Sequence, residues 1–214
     1  AVANMAVEAG AETGLFPADA TTAAYLRDRT TRPWAAERSD PDAQFAQRIR
    51  IVLDALSPLV AAPHSPGNVI PVDEARGVRI DQVYIGNCAN GTLTDLRQAA
   101  EVLRGRRVHP RVRAIIVPAT RSIYRQALRE GLIDVFLEAG AIVSPPTCGA
   151  CFGGHMGVLA AGERAVATTN RNFRGRMGSP DSEVYLANAW VAASAAVAGE
   201  IVHPAEFLSS EVRA

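Results

Sequence analysis

Lysine is absent from this sequence, and all 22 basic residues are arginine. A lysine Schiff base and a Walker-type phosphate loop both need that amine, so both are excluded. Long hydrophobic runs are lacking as well: no stretch approaches the roughly 18–20 apolar residues of a membrane-spanning helix. Neither charge is in surplus, since 22 acidic residues balance the arginines, which leaves no nucleic-acid footprint and no acidic tail. Cysteine is scarce, three in 214 residues, and an odd number of thiols fits a reducing, cytoplasmic setting where they stay free.

Those three cysteines sit in unusual company. Two lie in Thr147-Cys148-Gly149-Ala150-Cys151-Phe152-Gly153-Gly154, spaced C-x-x-C, and the third in Ile85-Gly86-Asn87-Cys88-Ala89-Asn90-Gly91. A buried free cysteine usually lies among valine, leucine and isoleucine as a small hydrophobe. Here all three occupy turns rich in glycine or asparagine, where ligands of a metal centre are commonly placed.

The remaining pattern gives these turns a frame. Residues 1–29 read as a short helix over about 1–10, a turn through Phe16-Pro17-Ala18-Asp19, and a second helix from Thr21 to Arg27. Asn4 and Glu8, four apart, share a helical face; spacing alone would equally describe an exposed polar pair. Residues 30–75 carry six prolines and hold one plausible strand or helix around Phe45–Leu56. From about residue 79, short apolar runs alternate with helical stretches. Strands are expected at Val83–Gly86, Ala114–Val117, Ala141–Val143 and Arg164–Ala167, with helices at Leu93–Arg104, Ile123–Glu130, Leu132–Ala139 and Ser182–Ala198. This alternation predicts an α/β fold, a three-layer α/β/α domain with a mainly parallel sheet over residues 63–214. Residues 1–62 read as the tail of a preceding α/β domain plus a linker.

Ligands of open parallel sheets bind beyond the carboxyl ends of the strands. Cys88, the Cys148/Cys151 pair and the loop 168–180 each follow a strand directly, so one site can collect them. Three thiolates can hold a zinc ion with His155 as fourth ligand, or three irons of a four-iron cluster whose fourth iron stays open. The loop Asn170-Arg171-Asn172-Phe173-Arg174-Gly175-Arg176 adds three guanidinium groups within six residues. A planar guanidinium binds carboxylate through two charge-assisted hydrogen bonds. An open metal beside such a clamp points to a polycarboxylate substrate.

Four segments in order resemble the aconitase superfamily, on its isopropylmalate dehydratase and homoaconitase branch. They are Asn4-Met5-Ala6-Val7-Glu8-Ala9-Gly10-Ala11, the Cys88 segment, Cys148-Gly149-Ala150-Cys151-Phe152-Gly153, and Thr169-Asn170-Arg171-Asn172-Phe173-Arg174-Gly175-Arg176-Met177-Gly178-Ser179-Pro180. The resemblance spans essentially the whole chain. It implies a [4Fe–4S] cluster on Cys88, Cys148 and Cys151, carboxylate-binding roles for Arg171 and Arg176, and places around the cluster for Asn170 and Asn4. It implies for Glu8 the acidic role beside the substrate hydroxyl. The implied reaction removes and re-adds water on a 2-hydroxy di- or tricarboxylate such as isopropylmalate or homocitrate.

The chain also departs from the family pattern. Family members usually read Ser-Cys-Thr-Asn-Gly-Arg where this sequence has Asn87-Cys88-Ala89-Asn90-Gly91-Thr92, and proline is common where Ala150 stands. Histidine-bearing motifs that precede the Asn4–Glu8 segment in the family, and the serine base of a small, swivelling subunit, are not in these residues. The resemblance therefore implies a C-terminal fragment of a large subunit, inactive alone, whose partners are that small subunit and the preceding part of the large one. The competing reading is a non-catalytic scaffold domain with a structural zinc or no metal.

Overall fold

The computed structural model describes residues 1–208. It divides into two compact units, Ala1–Ala55 and the residues from Leu56 onward. The first unit holds a helix α1 (Val2–Met5) that tightens into a 3-10 turn, Ala6–Ala9, and a helix α2 (Ala20–Leu26). Asp19 starts α2 by accepting the Thr22 amide at 2.8 Å, the usual device for satisfying an orphan amide of a first turn. None of residues 1–55 is buried. The strand or helix expected around Phe45–Leu56 is reduced to one 3-10 turn at Leu53–Ala55, because residues 44–56 are exposed throughout and no face is there to stabilise a regular element.

The second unit is built on a seven-stranded sheet in the order β2-β1-β7-β6-β3-β4-β5. Its strands are β1 (Leu59–Ala61), β2 (Val69–Pro71), β3 (Gln82–Ile85), β4 (Arg113–Ile116), β5 (Ile142–Val143), β6 (Arg164–Ala167) and β7 (Glu183–Leu186). The pairs from β7 through β5 are all parallel, whereas β1 runs antiparallel to both β2 and β7. The expected α/β class with a mainly parallel sheet is what forms. The helices are α3 (Leu93–Leu103), α4 (Arg121–Arg129), α5 (Leu132–Glu138) and α6 (Ala189–Ala198). None of the described helices is long and apolar enough to cross a membrane.

Side chains alternate across each strand, and the two faces collect different cores. Val83 and Ile85, Ala114 and Ile116, and Val166 pack with Leu96, Ala99 and Leu103 of α3, Phe136 of α5 and the alanines of α6. The intervening Tyr84, Ile115, Ala165 and Ala167 face the other way, under Ala150, Leu159 and Met177 from the loops. That second face is where the cysteine and arginine loops lie.

One element corrects the sequence expectation. Ser182–Ala198, read as a single helix, is the strand β7 followed by α6. Val184 and Leu186 enter the second core while Tyr185 packs on the first, an alternation that a helix cannot give. Pairing from Arg164↔Glu183 to Ala167↔Leu186 fixes the strand. Asn188 then restarts the chain as a helix by accepting the Val191 amide at 2.9 Å.

On the surface, Arg97 of α3 holds Glu130, the residue that ends α4, through two bonds of 2.8 and 2.7 Å. The Arg97 side chain, followed by Gln126, pulls the Glu130 carboxyl down from an ordinary 4.5 to about 2. A depressed carboxyl stabilises the fold above its ordinary value and loses that contribution as pH falls through the folded value. The difference in urea midpoint between wild type and Glu130→Gln is therefore expected to narrow as pH falls from 4.5 to about 2, and to shrink with salt because the pair is exposed.

Candidate functional site

Strand order reverses its direction of winding at β3: the chain leaves it through α3 to β4 on one side, while β6 and then β7 extend the sheet on the other. A crevice opens at such a switch point, outside the carboxyl ends of the strands. The loops that follow β3, β5 and β6 carry Cys88, Cys148 with Cys151, and Asn170 to Arg176 respectively.

The Cys88 loop is fastened from beneath. Asn87 is buried, and its Oδ1 accepts the amides of Ala89 at 2.6 Å and Asn90 at 2.8 Å. Thr168, just past the end of β6, completes the anchor: its hydroxyl accepts the Gly86 amide at 2.7 Å, and its carbonyl accepts the side-chain amides of Asn87 and Asn90. Asn90 also donates to Asn170 Oδ1 at 2.7 Å, which sets Asn170 beside this loop. Asn87 and Thr92, two departures from the family pattern, thus have local work: Asn87 ties the turn, and Thr92 closes a capping box with Asp95 at the start of α3. Cys88 itself is exposed.

Cys148 precedes a single 3-10 turn, Gly149–Phe152, in which the Cys151 amide donates to the Cys148 carbonyl at 3.0 Å. Tyr84 of β3 donates its phenol to that same carbonyl at 3.1 Å. Gly149 has φ +50°, and a Cβ there would collide with the Tyr84 hydroxyl, so the turn can close over the phenol only with glycine at this position. Arg176 donates Nε to the Cys151 carbonyl at 2.9 Å. A guanidinium has five N–H donors, so this bond engages one edge of Arg176 only.

The thiols are free and close enough to influence one another. Cys148 is exposed and Cys151 half-buried. Burial pushes the Cys151 thiol up, the Arg176 guanidinium opposes that, and Cys148 and Cys88 push it further up. Tyr84 is pushed up to about 12, first by burial and then by Cys151 and Cys148. Three thiols and one arginine therefore share one electrostatic neighbourhood.

Of the remaining residues expected at a site, Asn170 is buried and Arg171 half-buried in the loop after β6, while Asn4 and Glu8 lie in α1 and its 3-10 extension in the first unit. His155 is exposed and turns Nε2 to the Thr147 hydroxyl at 3.1 Å. Among the described residues no group of three or more His, Cys, Asp or Glu side chains converges on one metal ion. Four ligands on zinc require sulfurs about 3.8 Å apart at tetrahedral angles; a mononuclear zinc completed by His155 is not favoured. A cluster spreads its thiolates wider, and the donor set of three free thiols over a glycine-lined turn fits one.

Sequence reading passed over Tyr84, Asn90, Thr168 and Asn172 as site-building residues. Asn172 is fully buried and donates its amide to the carbonyls of Ala61, Ala62 and Val184, so the arginine loop is stitched to β1 and β7. The one available signal was a polar residue inside or beside an apolar run.

A family model described as aconitase family (aconitate hydratase) matches residues 1–77 and 73–199. The chain is 73% identical, over its whole length, to the "3-isopropylmalate dehydratase large subunit 2" of Rubrobacter xylanophilus, of which it covers 50%. It is 58% identical, over 95% of its length, to a "3-isopropylmalate dehydratase large subunit" of Heliobacterium modesticaldum, covering 48% of that protein. For the same-named subunit of Desulfitobacterium hafniense the identity is 55% over 96% of the chain, and 49% of that protein is covered. The chain spans about half the length of the curated relatives it matches. With the cysteine and arginine loops gathered at one end of a parallel sheet and the family model matching nearly throughout, the chain belongs to the aconitase family.

Proposed function

We propose that this chain is part of an iron–sulfur hydro-lyase of the 3-isopropylmalate dehydratase type, acting with a small subunit in the cytoplasm. The observation that carries this reading is that the loops bearing Cys88, Cys148 and Cys151, all free, leave the carboxyl ends of β3 and β5 close enough for the thiols to influence one another, with Arg176 bonded to the backbone of the pair. When bound there, a [4Fe–4S] cluster held by the three thiolates supplies a Lewis-acidic iron to a substrate hydroxyl and carboxylate.

The chain's own groups do the rest. Arg171 and Arg176 bind and orient the carboxylates, and their fixed positive charge opposes the negative charge that grows when a proton leaves the carbon beside a carboxylate. Asn170, held by Asn90, adds a neutral hydrogen-bonding group that keeps the substrate in register without adding charge. For Asn4 and Glu8 of the first unit the support is the family resemblance, which gives Asn4 a neutral hydrogen-bonding role and Glu8 a proton exchange with the hydroxyl that departs and returns. The names of the relatives support isopropylmalate as the substrate, with the small subunit supplying the base. On its own the chain is expected to show no turnover.

Anaerobic reconstitution with iron and sulfide tests this directly. The expected product has about four irons per chain, a broad visible absorption band, and a paramagnetic resonance of its reduced form that changes on adding 3-isopropylmalate. About one zinc per chain with no uptake of iron would sink the hydro-lyase reading in favour of a scaffold domain. Iron uptake with no response to isopropylmalate would sink the substrate assignment alone.

A further inference from the structure

We infer that Tyr84 is a positioning residue for the thiols: its phenol, donated to the Cys148 carbonyl, sets where the Cys148/Cys151 pair stands relative to Cys88. The inference rests on the cluster reading above and assigns a role within it.

Strand β3 is the common rail. At its carboxyl end it runs into Gly86, Asn87 and Cys88, so the Cys88 loop moves with it. On its second face, two residues apart, it presents Gln82 and Tyr84, both fully buried. Gln82 Nε2 donates to the Gly157 carbonyl at 2.7 Å and Tyr84 Oη to the Cys148 carbonyl at 3.1 Å. These two bonds grip the cysteine segment near both of its ends, 64 and 75 residues away in sequence. A single strand thereby carries one thiol and holds the segment with the other two.

The phenol's partner is chosen in a way packing alone does not require. Phenylalanine would fill nearly the same core volume under Ala150 and Met177. The Cys148 carbonyl that takes the phenol also takes the Cys151 amide, so displacing it moves both cysteines together. Gly149 leaves room for the hydroxyl where any side chain would strike it. A third contact runs from Arg176 Nε to the Cys151 carbonyl.

Tyr84→Phe keeps the ring and removes the bond. In the anaerobically reconstituted variant we expect iron uptake with an altered resonance of the reduced cluster. Its visible band should decay about fivefold faster in air, the effect of one neutral hydrogen bond. In the metal-free protein, alkylation of Cys148 and Cys151 relative to Cys88, read by mass spectrometry, should rise by a similar factor. A wild-type resonance and decay rate, together with an unchanged alkylation ratio, would overturn the inference. Should wild type itself take up no iron, the cluster reading fails while the alkylation ratio still decides the role of Tyr84. Gly149→Ala, which presses on the same contact from the other side, is the second variant: it should change the alkylation ratio even if Tyr84→Phe does not fold, and an unchanged ratio there also overturns the inference.

Discussion

Cys151→Ser is expected to abolish stable cluster assembly while leaving the metal-free fold nearly intact. Only a thiolate is a strong enough ligand here, and the hydroxyl that replaces it does not ionise near neutral pH. Two thiolates would then be asked to hold what the proposed function gives to three. The fold has little reason to notice: Cys151 is half-buried, its backbone contacts to Cys148 and Arg176 remain, and the expected change in stability is about 1 kcal/mol or less. Iron and sulfide counts after anaerobic reconstitution, compared with a urea titration of the metal-free variant, separate the two effects. Full iron uptake by Cys151→Ser would remove this thiol from the ligand set. The raised thiol also gives the loading step a direction. Because burial holds Cys151 protonated to higher pH than an ordinary cysteine, and binding releases that proton, uptake should quicken as pH rises.

Gly86→Ala is the second large effect, and it falls on the fold. Gly86 sits at φ +101°, where side chains are rarely tolerated, and a Cβ there would strike the Val117 carbonyl oxygen and lie 2.8 Å from its carbon. That carbonyl belongs to the backbone just beyond β4, which cannot yield without breaking the bond from the Val117 amide to the Ile85 carbonyl at 2.7 Å. A loss of about 3–5 kcal/mol is expected, in the range that marks a broken structural feature, against a total stability of about 5–15 kcal/mol for a domain. Gly77→Ala is the control. Its φ is +80° but nothing lies within 4 Å of the added carbon, so only backbone strain of roughly 1–2 kcal/mol applies. Urea midpoints that fall equally for the two variants would contradict this account.

How far the sequence could be read depended on whether a signal was local. The apolar runs Val83–Gly86 and Ala114–Val117 sit between capping residues and helical stretches, and their strands formed within a residue of expectation. The cysteine turns were equally legible, since glycine and asparagine around a thiol describe the backbone that the thiol needs. Glu183-Val184-Tyr185-Leu186 was lost because four residues are too few to show a period, and the alanines that follow are strong helix formers. β1 and β2, three residues each among prolines, carried no pattern of their own. Their place is fixed by pairing with each other and with β7. Tyr84, Thr168 and Asn172 were invisible for a different reason. Each acts on backbone far off in sequence, 64 to 111 residues away for Tyr84 to Cys148 and Asn172 to Ala61, and a lone polar residue in an apolar stretch does not announce its partner.

Asn172 ties the margin of the sheet to the loop after β6. The β1–β2 hairpin joins the sheet through one registered pair, Ala61↔Leu186, helped by the Asn172 amide, whose own Oδ1 is buried without a partner. Val60 of β1 packs into the first core, so this edge is held by burial as well as by its few bonds. An opening of this hairpin would free the Asn172 amide from the carbonyls of Ala61 and Ala62, one residue from Arg171, and leave it only the Val184 carbonyl of β7. Part of the mooring beside Arg171 is therefore lent by an edge strand pair, so a substitution that frays the sheet margin is felt one residue from Arg171.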